Sequence, residues 1–276
     1  MALDLGRHEA SLFDRLRYQP VAKRIRASYD GHPVLDTTDA LVVWEPRRVV
    51  PMYAVPRGDL AATLTPCPTA PPPPDLPPVL GPVRFAWHFH DGESFTIEVG
   101  GTSFEAAGFV AADPDLGGRV IVEWAPFDWS EEGVPVVGHP HDPFKRLDVL
   151  PSDRHVVVSV GGTVLADTRR PVALFETMLP VRWYVPRDDV RMDLLVPSDA
   201  TSTCAYKGHA TYFSLASSPD DELTDLAWTY VDPLHEVAPV KDHVCFYAER
   251  TDLTVDGVDV PRPDTLWRSR KSAELA

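Results

Sequence analysis

A mainly β fold with minor helix, arranged as two tandem compact domains from an internal duplication, is what the sequence predicts. Three observations lead there. Short runs rich in valine and aromatic residues recur between glycine and proline turns. Proline reaches 29 of 276 residues, roughly twice its usual ~5% share. Proline ends or edges strands and interrupts long helices. The third observation is a repeat along the chain.

The repeat sets residues 24–60 beneath residues 154–190, with a residue of slippage. Gly31 meets Gly162, the pair Asp36-Thr37 meets Asp167-Thr168, Glu45 meets Glu176 and Tyr53 meets Tyr184. A Val-Pro-Arg-x-Asp run closes each copy, at 55–59 and 185–189. Further on, residues 120–136 lie over 244–260 without gaps, with identities at Val120/Val244, Asp128/Asp252, Gly133/Gly257, Val134/Val258 and Val136/Val260. Two blocks in the same order argue for duplication.

Each copy opens as strand, turn, strand. Asp30-Gly31 and Gly161-Gly162 are hairpin turns, and Asp256-Gly257 is a later one. The run after Val185 (PRDDVRMDLL) predicts one or two helical turns, and Ser11 to Arg17 a short helix. The resulting domains are an N-terminal segment at 1–20, a first, degenerate domain at 21–137, a connecting segment at 138–153, a second domain at 154–262 and a polar tail at 263–276. A proline-rich insert at 65–82, expected to be extended or disordered, interrupts the first domain.

Charge excludes some partners. The chain carries 41 acidic and 26 basic residues, a formal net charge of -15. Nucleic-acid backbones and anionic membranes demand a basic footprint, so neither is expected as a partner. Three cysteines, Cys67, Cys204 and Cys245, make neither a disulfide framework nor a four-thiolate metal site. The N-terminus lacks the apolar core of a secretory signal, and no run of 18 apolar residues exists. A soluble, cytoplasmic protein is the expectation.

The densest chemistry lies at residues 203–212, TCAYKGHATY. An ammonium three residues from a thiol favours thiolate, so Cys204 is a candidate nucleophile. Lys207 is a candidate anion or Schiff-base lysine, and Gly208 lets an anion approach the backbone beside it. Read as one strand, the motif puts Cys204, Tyr206, Gly208, Ala210 and Tyr212 on one face and Lys207 on the other, unless Gly208 marks a bulge. Glu176 lies among apolar residues and needs a cation, for which Lys207, Arg182 and Arg154 are candidates. The plainer alternative reads Cys204 as a core residue and Glu176 as half of an ion pair that Glu45 repeats. His139, His141 and Asp142 could ligate a metal or form a linker turn; they are not a full ligand set, and no metal site is assigned. Trp228 would line a pocket or pack a sheet. No Walker loop, Rossmann glycine pattern, GxSxG elbow or HExxH is present.

Four segments resemble a known family, the domain of unknown function 427: HPHDPFKRLDVLPSDRHVVV, LFETMLPVRWYVPRDDV, TCAYKGHATY and LAWTYVDPLHEVAPVKDHVCFYAE. They cover most of residues 138–260, and the first copy looks like a more divergent member. The resemblance implies a compact β-tent-type fold with minor helix. The family's Cys-x-x-Lys-Gly pattern falls on Cys204, Lys207 and Gly208, its glutamate on Glu176 and its tyrosine on Tyr184. It is sometimes labelled nucleotidyltransferase-like, although the paired aspartates of such enzymes are not visible here.

The functional expectation is a small-molecule site in the second domain, favouring an anionic ligand. Lys207 and Arg154 would hold the anion, Glu176 would act as acid, base or ion partner, and Cys204 as nucleophile. Tyr184, Tyr206, Tyr212 and Trp228 would form walls beside Gly208. A non-catalytic scaffold is the first alternative and a nucleotidyltransferase-like activity the second. On the first reading, Lys207→Ala weakens binding with the melting temperature nearly unchanged. The residues name no cofactor and no oligomeric state.

Overall fold

The computed structural model describes residues 2–76, 79–81, 84–216 and 223–265. The chain divides into two units, Met1–Asp142 and Pro143–Ala276. Both are almost entirely β.

The first unit opens with a one-and-a-half-turn helix, α1 (Leu5–Ala10), capped by the Asp4 side chain. Its strands are β1 (Arg17–Val21), β2 (Ile25–Tyr29), β3 (His32–Thr37), β4 (Ala40–Trp44), β5 (Met52–Val55), β6 (Thr63–Cys67), β7 (Gly92–Val99), β8 (Thr102–Ala111), β9 (Val120–Val122), β10 (Asp128–Glu131) and β11 (Val134–Val136). They form a seven-stranded sheet, β1-β4-β5-β9-β8-β7-β6, and a four-stranded sheet, β11-β10-β2-β3. The second unit has β12 (Leu147–Pro151), β13 (Val156–Val160), β14 (Thr163–Thr168), β15 (Val172–Glu176), β16 (Arg182–Pro186), β17 (Leu195–Cys204), β18 (Gly208–Leu215), β19 (Ala227–Thr229), β20 (His243–Phe246), β21 (Asp252–Val255) and β22 (Val258–Val260). Its sheets run β12-β15-β16-β20-β19-β18-β17 and β14-β13-β21-β22. Strand for strand, this is the order of the first unit.

Two-residue hairpins explain much of the local structure. Asp30-Gly31, Gly100-Gly101, Glu132-Gly133, Gly161-Gly162 and Asp256-Gly257 all hold positive φ at both positions. That is the turn whose twist matches paired strands, and glycine occupies its second position without steric cost. The repeated motifs serve each other. Asp59 of the first Val-Pro-Arg-x-Asp accepts a hydrogen bond from Thr37 at 2.6 Å, and Asp189 accepts one from Thr168 at 2.7 Å.

Strand register corrects the sequence alignment at two points. Tyr53 pairs with Val122 and Val55 with Val120, while Tyr184 pairs with Cys245 and Val185 with Val244. Because Val120 corresponds to Val244, Val55 corresponds to Val185, Tyr53 to Trp183, and Ala54 to Tyr184. The second unit is one residue shorter in the loop before β16, not within the strand. Likewise Ile25 faces Glu131 and Val156 faces Val255, so Arg24 corresponds to His155 and Lys23 to Arg154. The ion pairs agree: Arg24 bonds Asp36, and His155 bonds Asp167.

Other expectations shift too. Helix occupies Leu5–Ala10 rather than residues 11–17, which hold turns and the start of β1. The unit boundary falls inside the segment expected to connect the domains, and Leu147–Pro151 within it is an edge strand. The end of the segment expected at 1–20 is β1, the corresponding edge strand of the first sheet. The proline-rich insert begins as strand β6, and its Leu80 is fully buried; residues 77, 78 and 82 lie outside the described residues. So does the polar tail from residue 266.

The central strands of each seven-stranded sheet are buried on both faces. One face packs on the small sheet through Ile25, Val34, Val42, Tyr53, Val55 and Trp129 in the first unit, and through Val156, Leu165, Val185, Val244 and Leu253 in the second. The outer face carries a separate core: Leu41, Val43, Ala54 and Ile121 with Phe85 and Phe109 in one, and Leu174, Tyr184, Trp228, Tyr230 and Cys245 with Val237 and Val240 in the other. Val237 and Val240 belong to a 3₁₀ segment, His235–Val240, that covers the second unit's outer face.

Gly31 has φ +77° and open space where a Cβ would stand. Gly31→Val should therefore cost about 1–2 kcal/mol from backbone strain alone. Chemical denaturation checks this; an unchanged midpoint would refute the turn assignment.

Candidate functional site

The candidate residues meet on the outer face of the second unit's large sheet. Glu176 ends β15, with its side chain in register with the buried Val172 and Leu174. A carboxylate there must be compensated, and two lysines do so. Lys207 Nζ donates to Glu176 Oε2 at 2.7 Å, and Lys145 Nζ lies 3.2 Å from Oε1 while donating to the Thr177 carbonyl at 3.1 Å. The side chains are 5% (Glu176), 12% (Lys207) and 21% (Lys145) exposed.

Lys207 reaches this place because its motif is a hairpin turn, not one strand. Cys204 ends β17, Gly208 begins β18 opposite it, and residues 205–207 form the turn. The single-face reading of Cys204 through Tyr212 is therefore replaced. Gly208, at φ +90°, lies where a Cβ would stand 3.4 Å from the Asp232 carbonyl oxygen. The Leu234 amide, from the following loop, bonds the Lys207 carbonyl at 3.2 Å. The turn is pinned on the sheet and its ammonium is directed inward.

Electrostatics follow from burial opposed by charge. Burial alone would raise the Glu176 pKa, but Lys207 and then Lys145 hold it below its ordinary value. Burial would lower that of Lys207, but Glu176 and the hydrogen-bonded Cys204 side chain hold it above its ordinary value. Around the cluster stands a polar aromatic network. Trp228 Nε1 donates to Tyr184 Oη at 3.2 Å, and Tyr212 Oη bonds Ser202 Oγ at 2.7 Å. Burial pushes the Tyr184 and Tyr230 phenols well up, so both stay neutral. Arg182, a sequence candidate for pairing Glu176, instead makes a two-pronged bond to buried Glu249 at 2.6 and 2.7 Å. Cys245 is fully buried and its thiol is pushed up to about 12.

Of the predicted residues, the fold brings together Glu176, Lys207, Cys204 and Gly208, with Tyr184, Tyr212 and Trp228 on the same face. Tyr206 is buried within the turn. Arg154 is elsewhere: it pairs with Asp256 at 2.7 Å and lines a cavity of about 290 Å³ on the side facing the small sheet. Sequence reasoning missed Lys145. It sits two residues before β12, and only the pairing of β12 with β15 places it beside Glu176. Among the described residues, no three His, Cys, Asp or Glu side chains converge as a metal-ligand set.

The first unit answers the same demand differently. Its Glu45 is 3% exposed. His88 Nδ1 approaches its carboxylate at 3.1 Å and Arg48 at 3.5 Å. His88 comes from the segment between β6 and β7 and stacks on Phe109 at 3.6 Å. Arg48 ties that segment down through the Arg84, Phe85 and Trp87 carbonyls. In both units the connection between the last two strands of the sheet thus brings a side-chain nitrogen to one buried carboxylate.

Residues 148–257 match the model of a family described as a domain of unknown function, DUF427. The match lies within the second unit and is to the family that its motifs resemble, with Glu176, Cys204, Lys207 and Gly208 inside it. No curated protein matches the chain.

The pairing also corrects the expectation that Lys207→Ala spares stability. Removing one partner of a buried pair costs roughly 3–5 kcal/mol; with Lys145 still present, Lys207→Met should lie near the lower end. Glu176 titrates below its ordinary 4.5 when folded. Its stabilisation is complete above the unfolded value and disappears as pH falls through the folded one. Denaturant titrations from about pH 3 to 7 should show this acid limb, shallower in Glu176→Gln. An identical limb in the variant would exclude Glu176 as its source.

Proposed function

We propose that the second unit binds a small anionic molecule at the Lys145–Glu176–Lys207 cluster. One observation carries the reading: two ammonium groups converge on a single carboxylate, so the cluster holds one positive charge in excess. The half-buried thiol of Cys204 adjoins Lys207. An anion arriving there meets Lys145, the more exposed lysine, while Lys207 stays bound to Glu176. Cys204 is then the nucleophile, if a covalent step occurs, and Tyr212 the neighbouring hydroxyl. A nucleotidyltransferase-like activity is the version of this reading in which the anion is a nucleoside triphosphate.

A structural role is the second reading, and Glu45 favours it. The first unit keeps a buried carboxylate at the same place, with Arg48 as its cation and His88 Nδ1 within hydrogen-bonding distance. On that view the cluster stabilises the sheet, and the chain serves as a scaffold. The common strand order and the repeated Thr–Asp hydrogen bonds support descent of both units from one duplicated ancestor. For location, no helix among the described residues is long and apolar enough to cross a membrane. The three free cysteines suit a reducing compartment, which supports a cytoplasmic protein.

A thermal-shift screen of the full chain against nucleotides, sugar phosphates, carboxylates and aldehydes separates the readings. A ligand at about 100 times its dissociation constant stabilises by roughly 2.7 kcal/mol. Lys145→Gln removes the excess charge and leaves the Lys207–Glu176 pair intact. The stabilisation should vanish in that variant while the unliganded melting temperature changes little. Stabilisation that survives Lys145→Gln would refute the site; no stabilisation by any anion would favour the scaffold.

A further inference from the structure

We propose that the cavity between the two sheets of the second unit binds a small aromatic carboxylate, with its ring against Trp183 and its carboxylate on Arg154. The inference is independent of the Lys207 cluster, which lies on the other face of the large sheet.

The cavity of about 290 Å³ is lined by Pro180, Val181, Trp183, Ala248, Leu253 and Val255, with Arg154 and Pro263 also on its wall. It opens to solvent past the exposed Val258 and Val260, and its volume approaches that of small-molecule pockets, about 300 Å³ and upward. Its walls are apolar, and its charged group, Arg154, lies 5.9 Å from the Trp183 ring. Arg154 is half exposed and its partner Asp256 equally so, so a competing carboxylate exchanges with Asp256 at little cost.

The first unit shows what chemistry fills this space. Residue by residue, Trp183 corresponds to Tyr53, Ala248 to Trp124, Leu253 to Trp129, Val255 to Glu131 and Arg154 to Lys23. There, Trp124 and Trp129 stack with ring centroids 4.8 Å apart, and Tyr53 packs beside them. Glu131 accepts a hydrogen bond from Tyr53 Oη at 2.6 Å and an ion pair from Lys23. In the second unit the two indoles become alanine and leucine and the carboxylate becomes valine, yet the aromatic wall and the cation remain. What is missing is two indole rings and an acid. An aromatic acid of about one or two rings restores both, with stacking on Trp183 and a guanidinium–carboxylate bond.

Calorimetric titration of the full chain with indole-3-acetate, indole and acetate tests the proposal. Indole-3-acetate should bind at least about tenfold more tightly than indole, with acetate silent. Leu253→Trp, which restores the first unit's residue, should weaken indole-3-acetate at least about tenfold without lowering the melting temperature. Arg154→Gln, on the partly exposed rim, should bring indole-3-acetate to the affinity of indole and leave indole unchanged, so the test survives if Leu253→Trp misfolds. No binding of indole-3-acetate to the native chain would overturn the proposal. So would undiminished binding by folded Leu253→Trp, or equal loss of both aromatic probes in Arg154→Gln.

Discussion

Everything in each unit follows from a seven-stranded antiparallel sheet whose central strands are buried on both faces while only one face meets another sheet. Antiparallel sheets commonly leave one side to water. Here β4 (Ala40–Trp44) is buried at every position, so the outer face has to be covered by connections between strands. Those connections are where the two units differ, and they hold the chemistry that distinguishes them.

The buried glutamate is the point at which covering and chemistry meet. Glu45 and Glu176 sit at the end of corresponding strands, facing the outer core. A carboxylate there forces the chain around it to bring a cation or a hydrogen-bonding side chain, since an unpaired buried charge costs several kcal/mol. The first unit brings His88 on a long segment whose Phe85 joins Ala54 in the outer core. The second brings Lys207 on a tight turn, and Tyr184 takes the place of Ala54. The long cover excludes solvent at Glu45. The short one leaves Cys204 and Lys145 partly accessible, and that accessibility distinguishes a candidate site from a structural pair.

The face toward the small sheet shows the opposite division. There the first unit is the fuller one, with Trp124, Trp129 and Tyr53 around Glu131 and Lys23. The second unit keeps Trp183 and Arg154 around a cavity. Each unit is thus closed where the other is more open, and the same strand order supports both arrangements because side-chain size and connection length vary while ladder hydrogen bonding does not.

Much of this was legible in the sequence. Alternating apolar runs, Asp-Gly and Gly-Gly turns and the repeated Val-Pro-Arg-x-Asp stated the fold class, the hairpins and the two tandem β units, because backbone conformation and strand pairing depend on local residue type and period. The charge demand of Glu176 was legible too, since an acid within an apolar strand needs a partner wherever it folds. The partner's identity was not. Lys145 and Lys207 lie 31 residues before and after Glu176, and only the pairing of β12 with β15 and the inward turn at 205–207 bring them to one carboxylate. Nor could the sequence show that Tyr184 aligns with Ala54, or that Ala248 and Leu253 leave a space where two indoles stand in the other copy. Local chemistry determined which groups must be satisfied. Strand register, a property of residues far apart in the chain, decided which side chains satisfy them and where volume remains.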